Sequence, residues 1–113
     1  MNGRETEIPM TKYHLKKRID IIVEAPLRRT VIGQLDAAHV PGYSVLSIAE
    51  GRGMVNAWTA EGQISNAANM VGLVCIVDQT QADAVIDAVL GVIRDRIGFV
   101  TIADVFVVRP ERF

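Results

Sequence analysis

This sequence lacks disulfide-forming cysteine pairs, an excess of either charge and any long apolar run. Its single cysteine, Cys75, excludes an internal disulfide, and we expect a buried thiol there. The 12 basic and 13 acidic residues nearly cancel, so no net field favours nucleic acid or acidic lipid. No apolar run reaches the roughly 20 residues of a membrane helix, and no secretory signal opens the chain. We therefore expect a cytoplasmic protein that binds no nucleic acid and inserts into no membrane.

What the sequence does contain is enough apolar material for a folded domain. Half of its 113 residues are hydrophobic, which indicates one globular domain. The first residues show neither a helical nor a strand period. We therefore predict a flexible N-terminal arm at residues 1–16 and a folded domain at residues 17–113.

Two apolar periods divide that domain into strands and helices. The segments KKRIDIIVEA, YSVLSIAE, MVGLVCIVD and GFVTIADVFVV either alternate or are continuously apolar, as strands are. A helical stripe follows the first strand and another follows the third. Their residues are Leu27, Val31, Leu35 and Ala38, and then Val85, Ile86, Val89, Leu90 and Ile93. Thr80 and Asp83 predict a capping box for the second helix, and Gly42 predicts the turn after the first.

The order of these elements is β-α-β-β-α-β, which predicts an α+β, ferredoxin-like fold with an antiparallel four-stranded sheet. Two helices can cover only one face of such a sheet. The third strand is apolar on both faces, with Leu73, Cys75 and Val77 opposite Val74 and Ile76. We therefore expect a homo-oligomer that forms by packing sheets face to face or by pairing their edges.

A long polar segment, EGRGMVNAWTAEGQISNAANM at residues 50–70, separates the second and third predicted strands. Loops of this length in small domains are usually functional or disordered. Glycines in EGRG would let backbone N–H groups approach an anion, and Arg52 adds a cation. Trp58, the one tryptophan, is a candidate anchor for a protein partner.

Several activities fit the residues poorly. RNA-binding sheets of this order stack bases on aromatic side chains, but the central strands here carry none. An acylphosphatase-like hydrolase needs an arginine in a glycine-rich loop, whereas Arg28 and Arg29 lie in EAPLRRT and are expected to face solvent. The two histidines, His14 and His39, lie near neither cysteine nor paired carboxylates, so we expect no metal site. We predict that the chain is not an enzyme.

From Lys17 to Arg109 the chain resembles the PII signalling family. PGYSVLSIAEGRG is similar to the family's strand that begins Gly-Met-Thr and ends Gly-Phe-Gly-Arg. DQTQADAVIDAVLGVIRDRIG is similar to its Asp-rich turn, second helix and following glycine. The resemblance implies a homotrimer with an adenine nucleotide in each inter-subunit cleft. It also implies that the long loop, the T-loop at residues 51–69, orders with the nucleotide and engages a protein or transporter.

The resemblance also implies which residues bind the nucleotide. One group matches the family's segment around the adenine, one its loop base near the phosphates, and one its B-loop and last strand. These groups are Gly42, Tyr43 and Ser44; Gly51, Arg52 and Gly53; and Gly98 and Arg109. Backbone donors and guanidinium groups suit phosphate oxygens.

The departures from the family pattern are informative. No tyrosine lies between Gly51 and Met70, so uridylylation is not expected. The family's B-loop Asp-Gly-Lys is absent, and Val74 stands where the family has the glutamate that pairs with this lysine. With fewer phosphate cations, ADP or AMP becomes as plausible a ligand as ATP.

These departures fit a PII-like branch, and the carboxysome-associated proteins that sense inorganic carbon have similarly short loops. Bicarbonate is then a reasonable second ligand, with Gly51, Arg52 and Gly53 as its candidate site. Three alternatives stay open at this point. They are a PII protein of the established nitrogen-regulatory type, a small trimeric CutA-like metal-binding or hydrolase protein, and a purely structural oligomer.

Overall fold

The computed structural model describes residues 12–52, 57–59 and 70–108, and the strands and helices in these ranges follow the predicted order. In chain order they are β1 (His14–Glu24), α1 (Arg28–Ala37), β2 (Tyr43–Ser47), β3 (Glu50–Arg52), β4 (Ala57–Thr59), β5 (Met70–Val77), α2 (Gln79–Ile93) and β6 (Gly98–Val107). A single 3₁₀ turn, Ala25–Leu27, joins β1 to α1 and has its proline at the helix start, where a missing N–H costs least.

The main sheet has four strands in the order β2-β5-β1-β6, and every neighbouring pair is antiparallel. Together with the helices on one face, this order confirms the α+β, ferredoxin-like prediction. β3 and β4 form a separate two-stranded ladder within the long loop between β2 and β5.

β1 begins earlier than we predicted. His14, Leu15 and Lys16, which we assigned to the N-terminal arm, pair with β6 as part of the sheet. Residues 1–11 lie outside the described residues, so the arm itself stays a prediction.

The core lies between the helices and one face of the two central strands. Ile19 pairs with Cys75 and Ile21 with Leu73, and opposite residues share a face of the sheet. All four are buried against both helices, along with a stripe from each. The helical residues in this core are Val31, Leu35, Ala82, Val85, Val89 and Ile93. The predicted stripes are confirmed at Val31, Leu35, Val85, Val89 and Ile93, but Leu90, which we placed in the second stripe, is exposed. Each fully buried aliphatic side chain contributes about 1.5–3 kcal/mol.

The other face of the sheet carries no helix within the described ranges. Val74 and Ile76 of β5 lie on this face and are only half-buried, and Ile22 of β1 lies beside them. The edge strand β2 is exposed along its whole length. The helix layer is thus narrower than the sheet, and apolar groups are left at its edge and on its open face.

The N-terminus of α2 corrects one prediction. The capping box is formed by Asp78 and Gln81, and the Gln81 side chain accepts the Asp78 backbone N–H at 3.3 Å. Our assignment of the capping box to Thr80 and Asp83 was wrong because β5 ends at Val77, Asp78 is the N-cap, and α2 begins at Gln79. Thr80 and Asp83 therefore lie inside the helix.

The C-terminus of α1 ends in a Schellman motif centred on a histidine. The His39 N–H donates to the Asp36 carbonyl at 3.0 Å, and the Val40 N–H donates to the Leu35 carbonyl at 3.2 Å. This motif needs a left-handed residue, usually glycine. His39 takes that role with φ of 58°, whereas we had expected Gly42 to make the turn.

Replacing His39 by glycine should stabilise the protein. The histidine is exposed, so little packing is lost, and glycine adopts the left-handed conformation without a Cβ clash. We expect His39→Gly to raise the free energy of unfolding by about 0.5–1 kcal/mol, measured by chemical denaturation. The control is Ala38→Gly, where the backbone is right-handed and stability should fall. A His39→Gly protein no more stable than the parent would contradict the account.

Candidate functional site

Three of the predicted site residues line a groove beside the start of β2. Its volume is about 370 Å³, and its lining residues are Pro41, Gly42, Tyr43, Ser44, Val74, Cys75 and Ile76. Tyr43 lies opposite Cys75 in the ladder, and Ser44 lies opposite Val74. The structure therefore brings Gly42, Tyr43 and Ser44 together at one edge of the sheet.

The two side chains at this edge face opposite ways. Tyr43 shares the helix-bearing face with Cys75, while Ser44 shares the open face with Val74. The Tyr43 side chain is exposed at this edge. This edge therefore presents a phenol ring on one face of the sheet, which can stack on a flat ring, and a hydroxyl on the other, which can donate or accept a hydrogen bond.

Cys75 lines the same groove but is not a reactive group. Burial, and to a lesser extent the charge of Asp20, raises the pKa of its thiol to about 11. The thiolate is the nucleophilic form, so at neutral pH this cysteine stays protonated and inert. The prediction of a buried thiol is confirmed.

The predicted anion-contacting residues lie partly in the β3–β4 ladder. Gly51 stands opposite Trp58, and Arg52 stands opposite Ala57. The first half of the long loop therefore contains paired backbone, which its irregular polar sequence did not indicate. Gly53 lies outside the described residues, so its part in the site stays a prediction.

Gly98, the first residue of β6, is required by close packing of the sheet. A Cβ at this position would lie 2.7 Å from the Ile22 carbonyl oxygen and 3.2 Å from the Val23 Cα. Such contacts with backbone cannot be relieved by a side-chain rotation. Glycine is thus needed here whether or not a ligand approaches.

Glu24 ties the end of β1 to the loop that precedes Gly98. Its Oε1 atom accepts one hydrogen bond from Arg96 Nε at 3.0 Å and another from the Ile97 backbone N–H at 3.3 Å. We did not predict this contact. Glu24 and Arg96 are 72 residues apart, and no local pattern in the sequence links them.

Among the described residues, Gly98 does not meet Gly42, Tyr43 and Ser44 within one chain. Gly98 pairs with Val23, Val23 pairs with Val71, and Val71 pairs with Ser47. Gly98 and Ser47 therefore lie at the same level on opposite edges of the sheet. Three strand spacings, about 14 Å, separate the two edges, and Tyr43 lies about 13 Å further along β2. Arg109 lies outside the described residues. A ligand touching both Gly98 and Tyr43 would have to bridge two subunits.

Two further findings concern metals and membranes. In residues 12–52, 57–59 and 70–108, no group of three His, Cys, Asp or Glu side chains is placed to hold a metal ion. The described helices include none that is long and apolar enough to cross a membrane.

The family is shown by comparison with known proteins. The family model of the nitrogen regulatory protein P-II matches residues 16–112, which is most of the chain. The chain therefore belongs to the P-II family, as the resemblance predicted. No match was found among curated proteins.

Solved structures show the same fold. CPII, a nitrogen regulatory PII-like protein from Thiomonas intermedia K12, was solved bound to ADP, AMP and bicarbonate. It is 20% identical and gives a TM-score of 0.78 over 90% of this chain and 96% of that one. CPII bound to ADP and bicarbonate is 22% identical, with a TM-score of 0.76 over 90% and 97%. The apo form of CPII is 19% identical, with a TM-score of 0.68 over 88% and 99%.

Replacing Gly98 by alanine should destabilise the fold without any ligand present. The added Cβ overlaps the Ile22 carbonyl, so we expect the free energy of unfolding to fall by about 1–3 kcal/mol in chemical denaturation. Gly91→Ala in α2 is the control. A Cβ there meets nothing within 4 Å, and alanine should raise stability by about 0.5–1 kcal/mol. Equal stability of Gly98→Ala and the parent would refute the packing role.

Removing the Glu24 side chain should loosen the loop before β6. Glu24→Ala deletes both hydrogen bonds, and we expect faster hydrogen exchange of the Ile97 amide and a loss of about 1 kcal/mol in stability. Glu24→Gln keeps an acceptor oxygen and should retain most of the protection, because the partly exposed charge itself contributes little. Unchanged hydrogen exchange of the Ile97 amide in Glu24→Ala would contradict the role assigned to Glu24.

Proposed function

We propose that the chain is a PII-like regulatory protein, and not an enzyme, that binds an adenine nucleotide between the subunits of a homotrimer. The observation that carries this proposal is the placement of the matched residues. Gly42, Tyr43 and Ser44 lie at one edge of the sheet and Gly98 at the other, so only two subunits side by side bring them to one ligand.

Exposed apolar side chains at both edges support an assembly of this kind. The edge strands carry Tyr43, Val45 and Leu46 on β2, and Phe99, Ile102 and Phe106 on β6. Two different surfaces that fit each other make a head-to-tail contact, which closes into a ring when the rotation allows. The family resemblance implies three subunits in that ring.

ADP or AMP is the ligand that the proposal favours, with ATP as the third candidate. CPII, which shares this fold, is bound to ADP and AMP in its solved structure. The sequence here lacks the family's B-loop lysine, so fewer cations are available to a triphosphate. The proposed binding residues are those matched above, from Gly42 to Arg109.

Bicarbonate is the proposed second ligand. CPII is bound to bicarbonate in three of its structures. Gly51, Arg52 and Gly53 would supply backbone N–H groups and one guanidinium, the fixed donors that a small anion needs.

The long loop is the segment that we propose to bind a protein partner. Nucleotide and bicarbonate would set its conformation, and the loop would engage an unidentified protein or transporter in the cytoplasm, with Trp58 as an anchor. The missing tyrosine argues against uridylylation and hence against the usual nitrogen signal. We place the role in inorganic carbon metabolism, in the carboxysome-associated branch of the family, with no metal required.

Titration calorimetry with AMP, ADP and ATP, each with and without bicarbonate, tests the function. We expect ADP or AMP to bind, with tighter binding when bicarbonate is present and a change in Trp58 fluorescence. Arg109→Ala should weaken binding by about 10-fold or more, since a charged hydrogen bond is lost. Arg29→Ala, on the exposed start of α1, is the control and should bind as the parent does. Failure of every combination to bind would sink the proposal.

A further inference from the structure

Gly72 interrupts the most continuously apolar strand of the chain. It is the one residue without a side chain in β5, which reads MVGLVCIV, and it lies inside the strand. It pairs with Leu46 of β2 on one side and with Ile22 of β1 on the other. A glycine inside a strand weakens it and often marks a place where another group approaches closely. Gly72 is buried, so a neighbouring side chain covers it.

The side chain that approaches Gly72 most closely belongs to Ile48. A Cβ at position 72 would lie 3.4 Å from the Ile48 Cδ1 atom and 3.6 Å from the Leu46 Cβ atom. Ile48 comes after β2, whose pairing with β5 ends at Ser47 and Val71. Ile48 is nevertheless half-buried. Packing on Gly72, rather than pairing in the ladder, therefore holds Ile48 against the open face of the sheet.

This contact lies where the long loop begins. Glu50, two residues after Ile48, is the first residue of β3 and pairs with Thr59 of β4. Within the described residues, β3 and β4 form a sheet of their own and contact each other more than they contact any other strand or helix. Segments with few contacts to the core open at low free energy. The contact between Ile48 and Gly72 is therefore a buried connection between the main sheet and this ladder.

We propose that the Ile48–Gly72 contact holds the β3–β4 ladder against the main sheet, and that the ladder separates from the sheet as one unit when this contact breaks. Met70, where the loop returns to the sheet, is buried on the same face two residues before Gly72. The loop therefore begins and ends beside one glycine, and the size of residue 72 sets how closely Ile48 can approach. The contact needs no ligand, whereas its use in setting the conformation of a partner-binding loop rests on the function proposed above.

Native-state hydrogen exchange of the full-length protein without ligand, followed by NMR, tests the proposal. Ile48→Val removes the Cδ1 atom that lies nearest Gly72, and the amides of β3 should exchange about threefold faster. Ile48→Ala removes more of the packing, and the same amides should exchange about 10-fold faster or more. The Ile97 amide, in the loop before β6, should exchange as in the parent because its local opening leaves the Ile48–Gly72 contact intact.

Substitutions at Gly72 supply the matched pair of variants. In Gly72→Ala the new Cβ fits at an ordinary contact distance from Ile48, so exchange of the β3 amides should stay as in the parent. In Gly72→Val the added methyl groups need the space of the Ile48 Cδ1 atom, so these amides should exchange faster, although valine favours strands. Adding Gly72→Val to Ile48→Ala should change β3 exchange little, because both substitutions break the same contact.

Three results would overturn the proposal. They are unchanged exchange of the β3 amides in Ile48→Ala, equal acceleration in Gly72→Ala and Gly72→Val, and effects of Ile48→Ala and Gly72→Val that simply add. Ile48→Val removes a single methyl group and decides the question even where Gly72→Val fails to fold. Because these measurements use no nucleotide, a failure of nucleotide binding bears only on the function proposed above, and a missing exchange response bears only on the Ile48–Gly72 contact.

Discussion

The width of the helix layer is the constraint on which the rest of this structure depends. Two helices bury one face of the central strands β1 and β5, and the fully buried side chains come from these four elements. The edge strand β2 contributes none of them. A domain of 113 residues has limited area to bury by itself, so the uncovered face and edges remain available for another copy.

Because the same edges carry the matched ligand residues, assembly and binding are linked in the proposed trimer. Gly42, Tyr43 and Ser44 belong to one edge and Gly98 to the other, about 14 Å away across the strands. A ligand that bridges two subunits binds only the assembled form, and it therefore stabilises that form by mass action. In the proposed trimer, the long loop leaves the sheet at such an edge. A bound ligand would therefore alter the conformation of the loop while the core stays unchanged.

Much of the fold could be predicted because its signals are periodic. The alternation in β1 and the stripe through Val31 and Leu35 each identify a buried face, and their order defines the topology. The ends of helices were less predictable, since Asp78 caps α2 only because β5 stops at Val77. For the candidate site, the resemblance indicated which residues to consider, among them Gly42 and Gly98. Their positions relative to each other depend on the pairing register across the sheet, which no short motif contains. The Glu24–Arg96 contact is likewise non-local.

The contact between Glu24 and Arg96 also explains how the loop before β6 is held in place without the family's usual ion pair. The resemblance places a glutamate on the third predicted strand and a lysine in the B-loop, but here Val74 occupies the first position and the lysine is missing. The loop is tied instead from the end of β1, where Glu24 holds Arg96 and the Ile97 amide. Losing both members of the family's pair avoids an unpaired charge beside the half-buried Val74. The Arg96 guanidinium in this loop is thus already paired with a carboxylate, that of Glu24. In the proposed cleft, this balance adds no cation for a third phosphate, in keeping with the expectation that ADP or AMP is as plausible a ligand as ATP.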